Sequence, residues 1–241
     1  MEEHKGRYTT EELLSFEETE KPKVEKEKVD PLTLIEPIDE SSDTPINIIN
    51  HYIECGDETN ACRFFLEHRS EIDVNHVFED DGDTIFCKAY FYRVHPLSVM
   101  IAEDERFNPM IGSEALQMPV LNMLVTAFTP TWIDEREEMY LEDVKQLIEI
   151  ILNSGKANLN AIDANKQTIL HLLASIHQLD WVAEKVLEDE SVNVNALDNF
   201  DKSALDIAIE EENIPFIKLL LKREDLKISE EQRNKLNDLS T

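Results

Sequence analysis

From Thr44 onward the chain alternates short apolar segments of helical period with polar loops, and those loops repeatedly contain Asn-Ala or a Val-Asn-like pair. The stretch VKQLIEIILNSGKANLNAID, residues 144–163, predicts an apolar helix that stops at Gly155 and runs into Leu159-Asn160-Ala161. A glycine at that point permits the left-handed residue that closes a helix. PVLNMLVTAF predicts another apolar helix, starting at Pro119. In HVFEDDGDTIFCKAYFYRV, residues 76–94, strand-like flanks surround Asp80-Asp81-Gly82-Asp83 and predict a hairpin extension. Residues 1–43 read differently: the run ETEKPKVEKEKVD buries too little apolar area to offset its ordering entropy. This segment is expected to be a disordered arm carrying two apolar islands, residues 8–16 and 29–38.

The loops and helices repeat. The segment beginning at Asp163 aligns with the one beginning 35 residues later at Asp198, which places Thr168 on Ser203, Leu170 on Leu205 and His171 on Asp206. Thr168-Ile169-Leu170-His171 resembles the Thr-Pro-Leu-His signature of the ankyrin repeat family, with Ile169 in the place of proline. Weaker echoes stand at Thr44-Pro45-Ile46-Asn47, His95-Pro96-Leu97-Ser98 and Ser203-Ala204-Leu205-Asp206. The resemblance implies an all-α, irregular ankyrin-repeat solenoid with a disordered N-terminal arm and a candidate β-hairpin extension. About four repeats would span residues 44–228, with insertions near 76–94 and 103–140, followed by a polar tail at 229–241. A parse that makes Met118 to Leu121 a further repeat start gives five units. In such repeats threonine caps the inner helix, leucine enters the core, and the histidine hydrogen-bonds within and between units, a structural role for His171. Trp181 and Phe216 occupy corresponding early positions of the outer helices and are expected in the core.

Charge narrows the function. Lys plus Arg number 23 against 52 Asp plus Glu, a formal charge of −29. Such a surface repels phosphate backbones and anionic lipid and favours basic protein surfaces. No apolar run reaches membrane-spanning length, and the N-terminus lacks the apolar core of a signal peptide, so the expected compartment is the cytoplasm. Cys55, Cys62 and Cys87 are an odd number without a close pair. His51, Cys55, Cys62 and His68 could lie side by side as zinc ligands, but their spacing matches no tight zinc signature, and free, buried thiols are the expectation. The chain contains no Gly-rich phosphate loop, HExxH or GxSxG, and the DDGD turn lacks calcium-loop spacing. The expectation is a protein that is not an enzyme and needs no cofactor or metal.

Two sets of residues are candidates for partner contact. By the resemblance, loop tips and inner helices form the binding face, and the matching tip positions are Asp163, Asn165 and Lys166 in one unit and Asn199, Phe200 and Asp201 in the next. Phe200 either anchors a partner or folds back on its own stack. The second set lies in the arm, which reads RYTTEELLSF from Arg7 to Phe16. Tyr8, Leu13 and Leu14 fit Tyr-x4-Leu-hydrophobic and resemble the motif by which scaffolding factors and repressors bind the mRNA cap-binding translation initiation factor. Arg7, Glu11 and Phe16 extend that likeness, and Thr9 with Glu12 forms a capping box for a helix that folds on binding. The resemblance implies a translation regulator that competes with the scaffolding partner. The alternative is a general ankyrin adaptor or inhibitor with an incidental arm. One form of it is a secreted bacterial effector acting in a eukaryotic host cytoplasm, since the tail SEEQRNKLNDLST loosely resembles the C-termini of such proteins. Val29, Leu32, Leu34, Ile35 and Ile38 would either add a second contact to the arm's partner or cover the open end of the first repeat.

Overall fold

Each helix pair begins where a residue in extended conformation halts the preceding loop and a run of apolar residues follows. A computed structural model of the chain describes residues 43–114, 117–129 and 135–239. The described residues contain α1 (Pro45–Glu54) and α2 (Glu58–Glu67), α3 (Ile85–Phe91) and α4 (His95–Ala102), and α5 (Val120–Thr126) and α6 (Glu135–Ser154). They continue with α7 (Ile169–Ala174) and α8 (Asp180–Leu187), α9 (Ala204–Glu210) and α10 (Ile214–Leu220), and end with α11 (Glu230–Asp238). Consecutive helices pair, and the pairs stack. Helices α5, α7, α9 and α11 follow one another in an inner layer, while α2, α4 and α6, and then α8 and α10, follow one another in an outer layer. The result is the expected all-α irregular solenoid. Tyr8, Leu13, Leu14, Arg7, Phe16 and both apolar islands of the arm lie outside the described residues.

Three expectations are corrected. The first concerns the hairpin at 76–94. Val77 and Thr84 form one isolated bridge, and helix α3 follows at once from the N-cap Thr84, whose hydroxyl accepts the Cys87 N–H. Thr84-Ile85-Phe86-Cys87 is therefore the repeat start, and His95-Pro96-Leu97-Ser98 opens the outer helix α4 of the same pair. Proline in a first turn and a buried leucine suit any helix start, whereas the threonine cap marks the inner one. The second concerns 103–140, expected to be an insertion, where α5 starts after Pro119 and packs against α6 and α7 as part of the stack. The third is the tail. Within the polar tail expected at 229–241, residues 230–238 form helix α11, because Ser229 caps it in a capping box with Gln232, and Gln232 is buried.

The acidic turn expected to be a hairpin tip has a packing task. Lys88 of α3 is buried beneath it, with Nζ 2.8 Å from Asp81 and 3.1 Å from Glu54 of the preceding pair, over the Phe78 ring. Burial alone would lower the Lys88 pKa, but the Asp81 and Glu54 carboxylates outweigh it and raise it. A buried cation without those partners would cost several kcal/mol.

Neighbouring units are joined by polar side chains that satisfy each other's loop backbone. Asn75, Asn160 and Asn195 hold equivalent places. Asn160 donates through Nδ2 to the Ser191 carbonyl at 2.9 Å and accepts the Asn193 N–H at 2.7 Å. Asn75 does the same to Arg106 and Asn108, and Asn195 to Asp225 and Lys227. The third residue of each late inner helix supplies a second link. His171 Nδ1 accepts the Thr168 N–H at 3.1 Å while its Nε2 lies 3.1 Å from the Lys202 carbonyl of the next unit. Asp206 accepts the Ser203 N–H in the same manner, and Gln232 donates back to Asp206 at 2.8 Å. Between these links sit fully buried apolar side chains such as Leu170, Leu205 and Phe216, each stabilising by about 1.5–3 kcal/mol.

The His171 arrangement fixes a neutral imidazole. With Nδ1 accepting, Nε2 carries the proton and donates to Lys202. Burial holds the His171 pKa below 6.5, outweighing the Lys202 carbonyl and the Asp198 and Asp163 carboxylates. Because the folded-state pKa is depressed, the His171 contribution is complete above the unfolded value and is lost as pH falls below about 6.5. Glutamine, which fills this place at Gln232, offers the same acceptor and donor at every pH. His171→Gln is expected to change unfolding free energy at pH 7.5 by no more than about 1 kcal/mol and to flatten the fall of urea-unfolding stability between pH 7 and pH 5 relative to wild type.

Candidate protein-binding surface

The tips before α7 and α9 are built alike. The Asp163 carboxylate accepts the Asn165 and Gln167 N–H groups, both at 2.8 Å, and the Asp163 N–H returns to the Gln167 carbonyl. The Asp198 carboxylate does the same for Phe200 at 2.8 Å and Lys202 at 3.0 Å. Lys166 and Asp201 then take left-handed backbone, with φ of 59° and 57°. The two tips are also joined: Asn199 donates its N–H to the Asn165 carbonyl at 2.9 Å and its side-chain amide to the Ala164 carbonyl at 3.2 Å. Before α5 the Glu114 N–H donates to the Gly82 carbonyl, and Gln117 again takes left-handed backbone, with φ of 49°.

This construction separates the six expected tip residues. Asp163 is buried and its carboxylate is engaged by the turn, so it shapes the tip instead of facing a partner. Asn199 is exposed, with its side-chain amide donating to the neighbouring tip. Asn165, Lys166, Phe200 and Asp201 are exposed. Phe200 does not fold back on the stack, since it is 75% accessible, the largest exposure among the big apolar side chains described. The sequence reading missed two neighbours, Ile162 and Leu197, each 53% exposed and each just before the turn aspartate. Their signal was legible: an apolar residue recurs 35 positions on, at a place where the fold has no core to receive it. Together Ile162, Leu197 and Phe200 make the tips apolar, while Asp201 and the Lys202–Glu210 ion pair border them.

The shifted titrating groups of the array are engaged in folding contacts. Asp104 has a fully buried side chain held by Arg106 and Arg69 at 2.8–2.9 Å, which keep its carboxyl well below the usual carboxylate range. Arg106 also donates to the Ile72 and Arg69 carbonyls, closing the end of the first pair. Burial pushes the Cys87 thiol up to about 11, against its hydrogen bond from the Thr84 region. Of the quartet weighed for zinc, Cys55 Sγ lies 3.7 Å from His51 Nε2, whereas His68 stacks on Phe64 and pairs with Glu71. Among the described residues no group of three or more His, Cys, Asp or Glu could hold a metal ion.

Comparison with known families agrees with this geometry. Residues 137–231 match the family model described as ankyrin repeats in three copies. The match covers α6 to α10 and the first residues of α11, where the links between units are most regular. No curated protein matches the chain. Residues 137–231 thus carry ankyrin repeats within an all-helical solenoid, an architecture that implies protein partners and is typically that of a binding scaffold. No helix among them is long and apolar enough to cross a membrane.

The turns carry a measurable strain. A lysine at φ 59° is disfavoured relative to glycine, and Lys166 makes no ion pair among the described residues that would be lost. Lys166→Gly is expected to hold stability level or raise it by up to about 1 kcal/mol, read as a melting temperature that does not fall, while Asp163→Ala, which strips the acceptor from two turn amides, should lower it.

Proposed function

We propose that the chain is a non-enzymatic protein-binding scaffold whose hairpin tips seat an apolar side chain of a partner carrying basic residues around it. The observation that supports this reading is the row of Ile162, Leu197 and Phe200, exposed on turns whose shape is already fixed by backbone hydrogen bonds. A preformed apolar patch loses little conformational entropy on binding, and exposed aromatics are frequent anchors. The formal charge of −29 disfavours nucleic acid and anionic lipid and favours a basic partner, with association that weakens as salt rises.

A narrower reading adds a second contact. In it the arm occupies the mRNA cap-binding translation initiation factor through Tyr8, Leu13 and Leu14, assisted by Arg7 and Phe16, and excludes the scaffolding partner while the ankyrin stack holds another protein. Its support is the string RYTTEELLSF and its capping box. The broader reading, a general adaptor or inhibitor acting in the cytoplasm of its own or a host cell, needs only the tips.

Two measurements separate these readings. Phe200→Ala combined with Lys166→Ala should weaken pull-down of the partner of the tips without lowering the melting temperature; unchanged recovery would remove the tips from the site. A peptide of residues 1–20 should bind purified cap-binding factor and compete with its scaffolding partner. Replacing Leu13 and Leu14 by alanine removes roughly 1.5–3 kcal/mol each, so its affinity should fall by about two orders of magnitude. A wild-type peptide that fails to bind at tens of micromolar leaves the adaptor reading alone.

A further inference from the structure

The outer layer carries a groove that the tips do not explain. It is open, about 510 Å³ in volume, and lined by Glu142, Lys145, Gln146 and Glu149 of α6 and by Gln178 and Trp181 at the start of α8. The four α6 residues lie at spacings of three, four and seven, one stripe of a helix.

Trp181 was expected in the core beside Phe216, and the structure places it elsewhere. The buried set Val182, Ala183 and Val186 of α8 repeats as Phe216, Ile217 and Leu220 of α10, so Trp181 corresponds to Pro215 and turns its ring partly to solvent. Among the described residues the indole has no aromatic partner, no cation over its face and no hydrogen bond at its N–H. Lys145 is tied to Glu142, and Gln146 faces His95 at 3.1 Å. Glu149 has neither a hydrogen bond nor an ion pair among the described residues. A half-buried indole face and an uncommitted carboxylate therefore share one groove on a strongly acidic protein.

We propose that this groove is a docking site for an arginine side chain of a protein partner. A guanidinium is planar and weakly hydrated, so it can lie flat on the indole while its edge donates two hydrogen bonds to one carboxylate. Trp181 supplies the face and Glu149 the acceptor, and Gln178 adds an amide at the rim. A lysine ammonium would meet the charge but not the plane, and an apolar side chain would leave Glu149 facing it unpaired. The site rests on the scaffold reading and lies on the outer helices, apart from the tip residues, so each can fail without the other.

The test uses the full chain with Trp132→Phe, which leaves Trp181 as the single indole of the two in the sequence. Three hexapeptides of alternating glycine with arginine, lysine or citrulline are titrated at near-physiological salt while Trp181 emission is followed. The arginine peptide should give a saturable shift, and the lysine and citrulline peptides should bind at least about fivefold more weakly. Glu149→Gln should weaken the arginine peptide by about tenfold at an unchanged melting temperature, and calorimetry of Trp181→Leu should show a similar loss in a chain that still unfolds cooperatively. Phe200→Ala should leave the titration as it is, which separates this site from the tips. Equal binding of the arginine and lysine peptides, or an affinity that Glu149→Gln and Trp181→Leu do not alter, would overturn the proposal and leave diffuse attraction to an acidic surface.

Discussion

No helix pair in this chain can bury its apolar face alone, and the structure depends on how each pair satisfies the loop backbone of the next. The asparagines at 75, 160 and 195 do this with both ends of one side-chain amide. Each loop then leaves few unpaired polar groups at the seam, and the apolar faces can close without the penalty of stranded amides. The third residues of the late inner helices reinforce the same seams one turn away. His171, Asp206 and Gln232 differ in chemistry but share an acceptor aimed at the N-cap N–H, which is all the position requires.

The array is irregular where these devices are missing. In the second pair, Met110 stands where the others have asparagine, and its sulfur accepts the Asn158 N–H at 3.3 Å. Lys156 compensates by donating to the Glu105 and Phe107 carbonyls across the same seam. In the third pair Pro119 is the N-cap and has no N–H to give, and the Nδ2 of the buried Asn122 has no partner among the described residues. The charge pairs of Asp104 with Arg69 and Arg106, and of Lys88 with Glu54 and Asp81, are concentrated in this first half. They tie the second pair to the first by charge-assisted hydrogen bonds. The C-terminal half relies on the neutral ladders that match the ankyrin family.

Function follows from where polar groups are spent. Because the turn aspartates and backbone amides hold the tips, the side chains of Phe200, Leu197 and Ile162 remain exposed. Because Trp181 falls one position short of the buried stripe of α8, its ring packs on the edge of the core and opens into a groove. Both features are apolar islands on a chain of formal charge −29.

The sequence by itself determined the helical repeat, since a period of apolar residues and the caps at Thr168 and Ser203 are local properties that survive without a partner element. The turn positions became legible through the resemblance to the ankyrin repeat, while the left-handed backbone at Lys166 and Asp201 is a finding of the structure. The start of the second pair was hidden: Thr84-Ile85-Phe86-Cys87 lacks both the proline and the histidine, and the strand-like composition around it is overridden by burial on both sides. The register of Trp181 could not be read either, because a 35-residue alignment carried through a connection of different length shifts the outer helix by one position, and only packing against α10 decides which residue turns inward. Exposure of Phe200 belongs to the same class. A loop aromatic can fold down or stand out with equal local propensity, and the hydrogen bonds between neighbouring tips, formed only once the units stack, hold it out.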